Sequence, residues 1–357
     1  MADKHRFEVL DGLRGVAALG VVSLHVGELV SLPLAQHAYL AVDFFFVLSG
    51  FVVAHAYRAR LDAGATLGWF FEKRMSRLWP LVLVGAAAGT LYLVVHERLN
   101  PTAGATPEKI FAAALYALAA APMYWPTSPW GLYPVNGPSW SLLYEVLANL
   151  GFAAWVRRFG GVWLLAVIGM GAVGLLALSP ILNGVGAGTD RLWTVPSNLA
   201  RVTFSMFLGV LIERLHRAGR LPSFRASFWT LATVLTGLLW LPLMIPVPAF
   251  YDLTFVFLVS PALLVAGINA VSTGQLRRAE LLLGDLSYPL YIAHAPAVYF
   301  AFSALKAAHL LGRLPPLGTA LALGIVALAA GYAAMQLDIG IQEVLRRRPA
   351  KALAAEA

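Results

Sequence analysis

Residues 9–31 read VLDGLRGVAALGVVSLHVGELVS, an apolar run interrupted by Arg14 and His25. As a helix it would rise about 35 Å, more than the roughly 30 Å of a bilayer core. A basic flank precedes it, as in a secretory leader. The run is too long for that, carries Arg14 and His25, and is followed by no A-x-A cleavage site. It reads as a first membrane span, and that reading decides the fold. Ten further apolar runs follow, at 38–57, 79–95, 110–122, 139–156, 161–178, 199–213, 228–245, 251–270, 286–311 and 317–338.

The whole chain fits that reading. Of 357 residues, 59% are apolar and only 12% charged, and the mean hydropathy is +0.74. A soluble domain carries about 25% charged residues. An ordinary soluble enzyme and a disordered chain are both excluded. There is no cysteine, so disulfides, thiolate metal sites and cysteine nucleophiles are excluded too. The formal charge of +8 is read through the positive-inside rule rather than as nucleic-acid binding. The run at 110–122 is short for a span and reads as a re-entrant or surface piece. That leaves about ten spans with both termini cytoplasmic, and twenty of the 26 Lys and Arg then lie inside. Were 110–122 to cross, making eleven, every later loop would change sides and the asymmetry would collapse. The expectation is an all-α polytopic transmembrane helix bundle. Residues 1–345 form one integral-membrane domain, and 346–357 are a basic, Ala-rich cytoplasmic tail. The Pro-, Trp- and Tyr-rich segment 122–139 is an outer loop, and Gly184, Gly186 and Gly188 mark a flexible outer turn.

Ionisable residues inside spans need a reason, since each costs about 2.5–3.5 kcal/mol at mid-bilayer. Arg14 and His25 are eleven positions apart, close to three full turns, so they share a helix face about 16 Å apart. Asp43 and Glu145 each enter a span from the outer side and fall at a depth comparable with His25, so a shared polar cavity is expected. Arg74 and Arg77, one turn apart at an inner membrane face, suit phosphate oxygens. His294 lies near mid-depth on one stripe with Tyr288 and Tyr291. Cations inside, with a histidine and carboxylates outside, could transfer a group from a cytoplasmic phosphate-bearing donor to an outer acceptor. A proton-coupled transporter or flippase for a glycan or lipid intermediate would use the same residue types.

A resemblance separates the two. The segment Leu10-Asp11-Gly12-Leu13-Arg14 through His25 resembles the opening R-x10-H pattern of the acyltransferase-3 family of polytopic membrane O-acyltransferases. Val42 to Phe51, Lys73 to Pro80, Asn136 to Glu145 and Ser287 to His294 resemble its later motifs, in family order. The resemblance implies transfer of an acyl group, most often acetyl, from cytoplasmic acyl-CoA to a hydroxyl of a surface glycan, lipid-linked sugar or small metabolite at a bacterial inner membrane. No metal and no nucleic acid are implied. The last span ends near residue 338, so no appended periplasmic hydrolase-like domain is expected.

The resemblance further implies His25 as the catalytic base, with Arg14, Arg74 and Arg77 on the donor and Asp43 and Glu145 near the acceptor. Asp43 or Glu145 would orient the imidazole. Ser139, Trp140, Tyr288, Tyr291 and His294 would support the substrate. Oxyanion donors are sought among Tyr288, Ser139 and Ser49.

Overall fold

The computed structural model describes residues 7–99, 105–125, 131–155, 160–186, 192–223, 226–240, 248–270 and 277–355. Among these the chain is all-α. The helices are α1 (Glu8–Val30), α2 (Ala41–Asp62), α3 (Leu67–Leu99), α4 (Pro107–Leu118), α5 (Trp140–Trp155), α6 (Gly161–Leu178), α7 (Val195–Arg217), α8 (Phe228–Trp240), α9 (Pro248–Thr254), α10 (Ser260–Ile268), α11 (Arg277–Ala307) and α12 (Pro316–Ala355). A π-helical stretch, Phe255–Val259, joins α9 to α10 ahead of Pro261 and makes them one 21-residue span.

Among the described residues, seven helices are long and apolar enough to cross a membrane: α1, α2, α3, α6, α7, the α9–α10 unit and α12. The shorter α5 and α8 and the more polar α11 lie at the other three expected spans; α8 is described only as far as Trp240, within the run at 228–245. Helix α4 has 12 residues and rises about 18 Å, too little to cross. Thr106 caps it, Pro107 starts it, and it lays Ile110 and Ala113 inward. Helix α12 runs on to Ala355, so the tail continues the last helix.

Two helix pairs organise the bundle, and both are parallel. Between α1 and α11, Glu8 pairs with Arg277, Arg14 with Ser287, and His25 meets His294. The partners climb together, and 17 residues separate the first and last contacts on each helix, about 25 Å of rise. Glycine sets the spacing: a Cβ on Gly15 would fall 2.3 Å from the Leu283 carbonyl oxygen. Between α2 and α7, Asp43 meets Arg201 and His55 meets Glu213 in the same ascending order. A Cβ on Gly50 would fall 1.9 Å from the Met206 carbonyl oxygen, and one on Gly209 would fall 2.0 Å from that of Val47.

Prolines inside helices free the carbonyl four residues back, and in an apolar medium that oxygen needs a partner. Pro296 in α11 frees Ile292 O, which accepts from Asn136 Nδ2 at 2.9 Å. Pro80 in α3 frees Ser76 O, which accepts from Gln342 Nε2 at 3.0 Å. These two bonds tie α11 and α3 to their neighbours around the site.

Candidate active site

Parallel packing of α1 on α11 puts Arg14 and His25 on one face, each against α11. Arg14 Nε donates to Ser287 Oγ at 2.7 Å and its Nη2 to Gly284 O at 3.2 Å, with Asp11 at 3.4 Å. Higher up, the His25 and His294 rings stack, with centroids 5.4 Å apart and planes at 21°. His25 is partly exposed and His294 fully buried. His25 Nδ1 lies 3.0 Å from Glu28 Oε2, one turn on along α1. A carboxylate only accepts, so Nδ1 carries the hydrogen and Nε2 presents a lone pair. His294 Nδ1 lies 3.0 Å from Leu290 O, which fixes the same tautomer by the same argument.

The two carboxylates expected beside His25 are elsewhere. Asp43 is fully buried and bidentate with Arg201, at 2.6 Å from Nη2 and 3.1 Å from Nε. Arg201, counted with the outer-loop cations from sequence, sits inside α7 and is 2% exposed. It also donates to Val185 O and Tyr39 O and lies over the Trp140 ring, 5.4 Å from its centroid. Asp252 completes the knot, accepting from Tyr39 Oη at 2.6 Å and Val185 N at 2.8 Å. The turn at Gly184 and Gly186 is therefore clamped, not flexible; Gly184 has φ +124 and passes against Asp252. Gly188 lies outside the described residues, as do positions 126–130 of the expected outer loop.

Glu145 forms a third group with α2 and α3. Its Oε1 accepts from Arg74 Nη2 at 2.8 Å and Ser49 Oγ at 2.7 Å. Ser49 is six residues beyond Asp43 on α2, so Glu145 sits about 9 Å deeper than the Asp43 level. The shared depth expected of Asp43, Glu145 and His25 does not hold, because each acid is drawn to its own arginine. Arg74 keeps a buried Nε with no partner among the described residues. Arg77, on the next turn, is exposed and has no ion-pair partner among the described residues; its charge bears on the Tyr288 hydroxyl.

The supporting residues hold the scaffold around these groups. Tyr288 Oη donates to Leu78 O at 2.6 Å, Ser139 Oγ to Asn136 O at 2.6 Å, and Ser49 Oγ to Glu145. All three hydroxyl protons are engaged, so none of the expected oxyanion donors is free in this arrangement. Tyr291 Oη bonds Ser141 Oγ at 2.8 Å and Pro138 O at 3.1 Å. Trp140 belongs to the Arg201 group. Sequence reasoning missed Glu28 and Arg201. The spacing His25-x-x-Glu28 was a usable signal, being one helical turn; Arg201 gave none, since only the fold brings α7 beside α2.

This geometry joins a partly exposed imidazole, oriented by a carboxylate, to a run of arginines along the same bundle. The family profile described as an acyltransferase domain matches residues 7–336. The chain belongs to the acyltransferase-3 family. Curated relatives agree with that membership. Acyltransferase MdmB of Streptomyces mycarofaciens is 27% identical over 321 residues, 81% of this chain and 78% of its own length. Nodulation protein 10 of Rhizobium leguminosarum bv. viciae is 28% identical over 278 residues, 71% of this chain and 70% of its own. Protein 2 in the picA locus of Rhizobium radiobacter is 36% identical over 167 residues, 43% of this chain and 84% of its own. No solved structure matches the chain. The protein is a multi-pass membrane acyltransferase, and its family implies an acyl donor and a hydroxyl-bearing acceptor.

Proposed function

We propose that this acyltransferase moves an acyl group, acetyl by preference, from cytoplasmic acyl-CoA to a hydroxyl of a glycan, lipid-linked sugar or related metabolite. It works across a bacterial inner membrane with both termini cytoplasmic. The observation that carries this reading is the His25–Glu28 pair, 3.0 Å apart at the end of α1. Glu28 holds the Nδ1–H tautomer and favours the imidazolium once it forms. The acceptor O–H gives its proton to His25 Nε2 as its oxygen attacks the thioester carbonyl carbon. The C–S bond then breaks, and the departing thiolate takes the proton from the imidazolium. The products are an acyl ester and free CoA.

Arg14 and His25 share the α11-facing side of α1, about 16 Å apart in rise. That separation suits a donor whose charged end lies far from its thioester. The exposed Arg77 meets the donor phosphates first, with Arg14 and Arg74 behind it. Glu145 holds Arg74 in place rather than acting on the acceptor.

The test is CoA release from acetyl-CoA by purified protein, read with a thiol reagent. The chain has no cysteine, so the protein contributes no thiol of its own. His25→Ala should release CoA at least about a hundredfold more slowly while still binding acetyl-CoA. Undiminished release by that variant would remove His25 from the chemistry.

A further inference from the structure

The two stacked imidazoles present more basicity than one proton transfer needs. His294 is fully buried, and its Nδ1–H is committed to Leu290 O at 3.0 Å. Its Nε2 is therefore a hydrogen-bond acceptor only, and it has no partner among the described residues. A leucine or phenylalanine would fill the same place without burying an unpaired lone pair. His25 presents a second lone pair at its own Nε2, on a ring 5.4 Å away and nearly parallel. Two nearly parallel rings thus each carry an acceptor nitrogen, with no described protein donor bonded to the buried one.

The missing partner is a donor, and the reacting complex supplies one. If His25 takes the proton of the hydroxyl being acylated, the group nearest the neighbouring ring is the substituent on the adjacent carbon of the acceptor. We propose that His294 Nε2 accepts a hydrogen bond from a second hydroxyl of the acceptor, and that the enzyme acts on vicinal diols rather than isolated alcohols. This rests on the acyl-transfer reading above. It makes His294 a specificity-determining residue. A diol satisfies both nitrogens; a simple alcohol leaves the buried one unpaired, and sites of that kind discriminate strongly. Atoms balance as before, since the second hydroxyl keeps its proton.

The experiment compares cyclohexanol with its vicinal trans-diol as surrogate acceptors for acetyl-CoA, scoring CoA release and ester formation by the full-length protein in detergent. The diol should be preferred by about tenfold or more in kcat/KM. His294→Ala should raise KM for the diol to that for cyclohexanol, erasing the preference beyond any smaller change that falls on both acceptors alike. His294→Gln, whose amide oxygen can accept where Nε2 does, should restore part of the preference, which a packing role would not. Equal rates for the two acceptors in the parent protein would overturn the proposal. So would an equal loss on both acceptors in a His294→Ala protein that remains folded. Absence of CoA release with any acceptor from the parent protein would instead sink the acyl-transfer reading, and this inference with it.

Discussion

The helix pairs α1/α11 and α2/α7 are built alike and finished differently. Each is parallel, each is drawn close by glycine, and each carries ionisable residues at more than one level. In α2/α7 the upper level is closed. Both oxygens of Asp43 and all three nitrogens of Arg201 have protein partners, and neither side chain meets solvent. In α1/α11 the upper level is open. His25 is partly exposed, and one nitrogen of His294 has no described partner. Buried polar groups are tolerable when their partners are complete, and at the upper level of α1/α11 the proposed acceptor would supply the rest. On the proposed reading, chemistry belongs to the open pair and fold specificity to the closed one.

The largest expected effect falls on the open pair. His25→Ala should lower acyl transfer by about 10² to 10⁴, the usual worth of a general base, with the unfolding temperature unchanged. Loss of folding in that variant would erase the contrast, because His25 would then be structural. The closed pair should give the opposite phenotype. Asp43→Ala strands a buried guanidinium and should cost about 3–5 kcal/mol of stability, with turnover per folded molecule retained. The apolar double variant Asp43→Leu with Arg201→Met should recover much of that loss. A normal unfolding temperature with abolished turnover in Asp43→Ala would restore Asp43 to the site.

Smaller changes sharpen the line between the pairs. Glu28→Gln keeps the size of the side chain and removes its charge. Glu28 is largely exposed, so kcat should fall only about ten- to a hundredfold, less than for the buried acid of a hydrolase triad. No change in kcat would leave the His25 tautomer to other contacts. Arg77→Ala should weaken acetyl-CoA binding about tenfold, the scale of one charge-assisted hydrogen bond, and leave kcat alone; calorimetry on the two proteins decides it. An unchanged donor affinity would return Arg77 to the surface charge of the bundle.

Much of the fold was legible along the chain. Apolar runs long enough to span became helices, and the run at 110–122 became the short α4, because length and hydropathy are local quantities. The partnership of Arg14 and His25 on one face was legible too, since eleven residues nearly close three turns whatever surrounds them. The acids were not. Asp43 and Glu145 shared a counted depth with His25, but depth along a span leaves the lateral position in the bundle open. Only helix packing put Arg201 beside Asp43 and Arg74 beside Glu145.

Sequence by itself therefore determined the span character and the family, and named candidates for the chemistry. Tertiary structure decided which acid meets which base. Helical periodicity relates residues within one segment. Ion pairs between segments depend on which helices the glycine contacts at Gly15, Gly50 and Gly209 allow to touch.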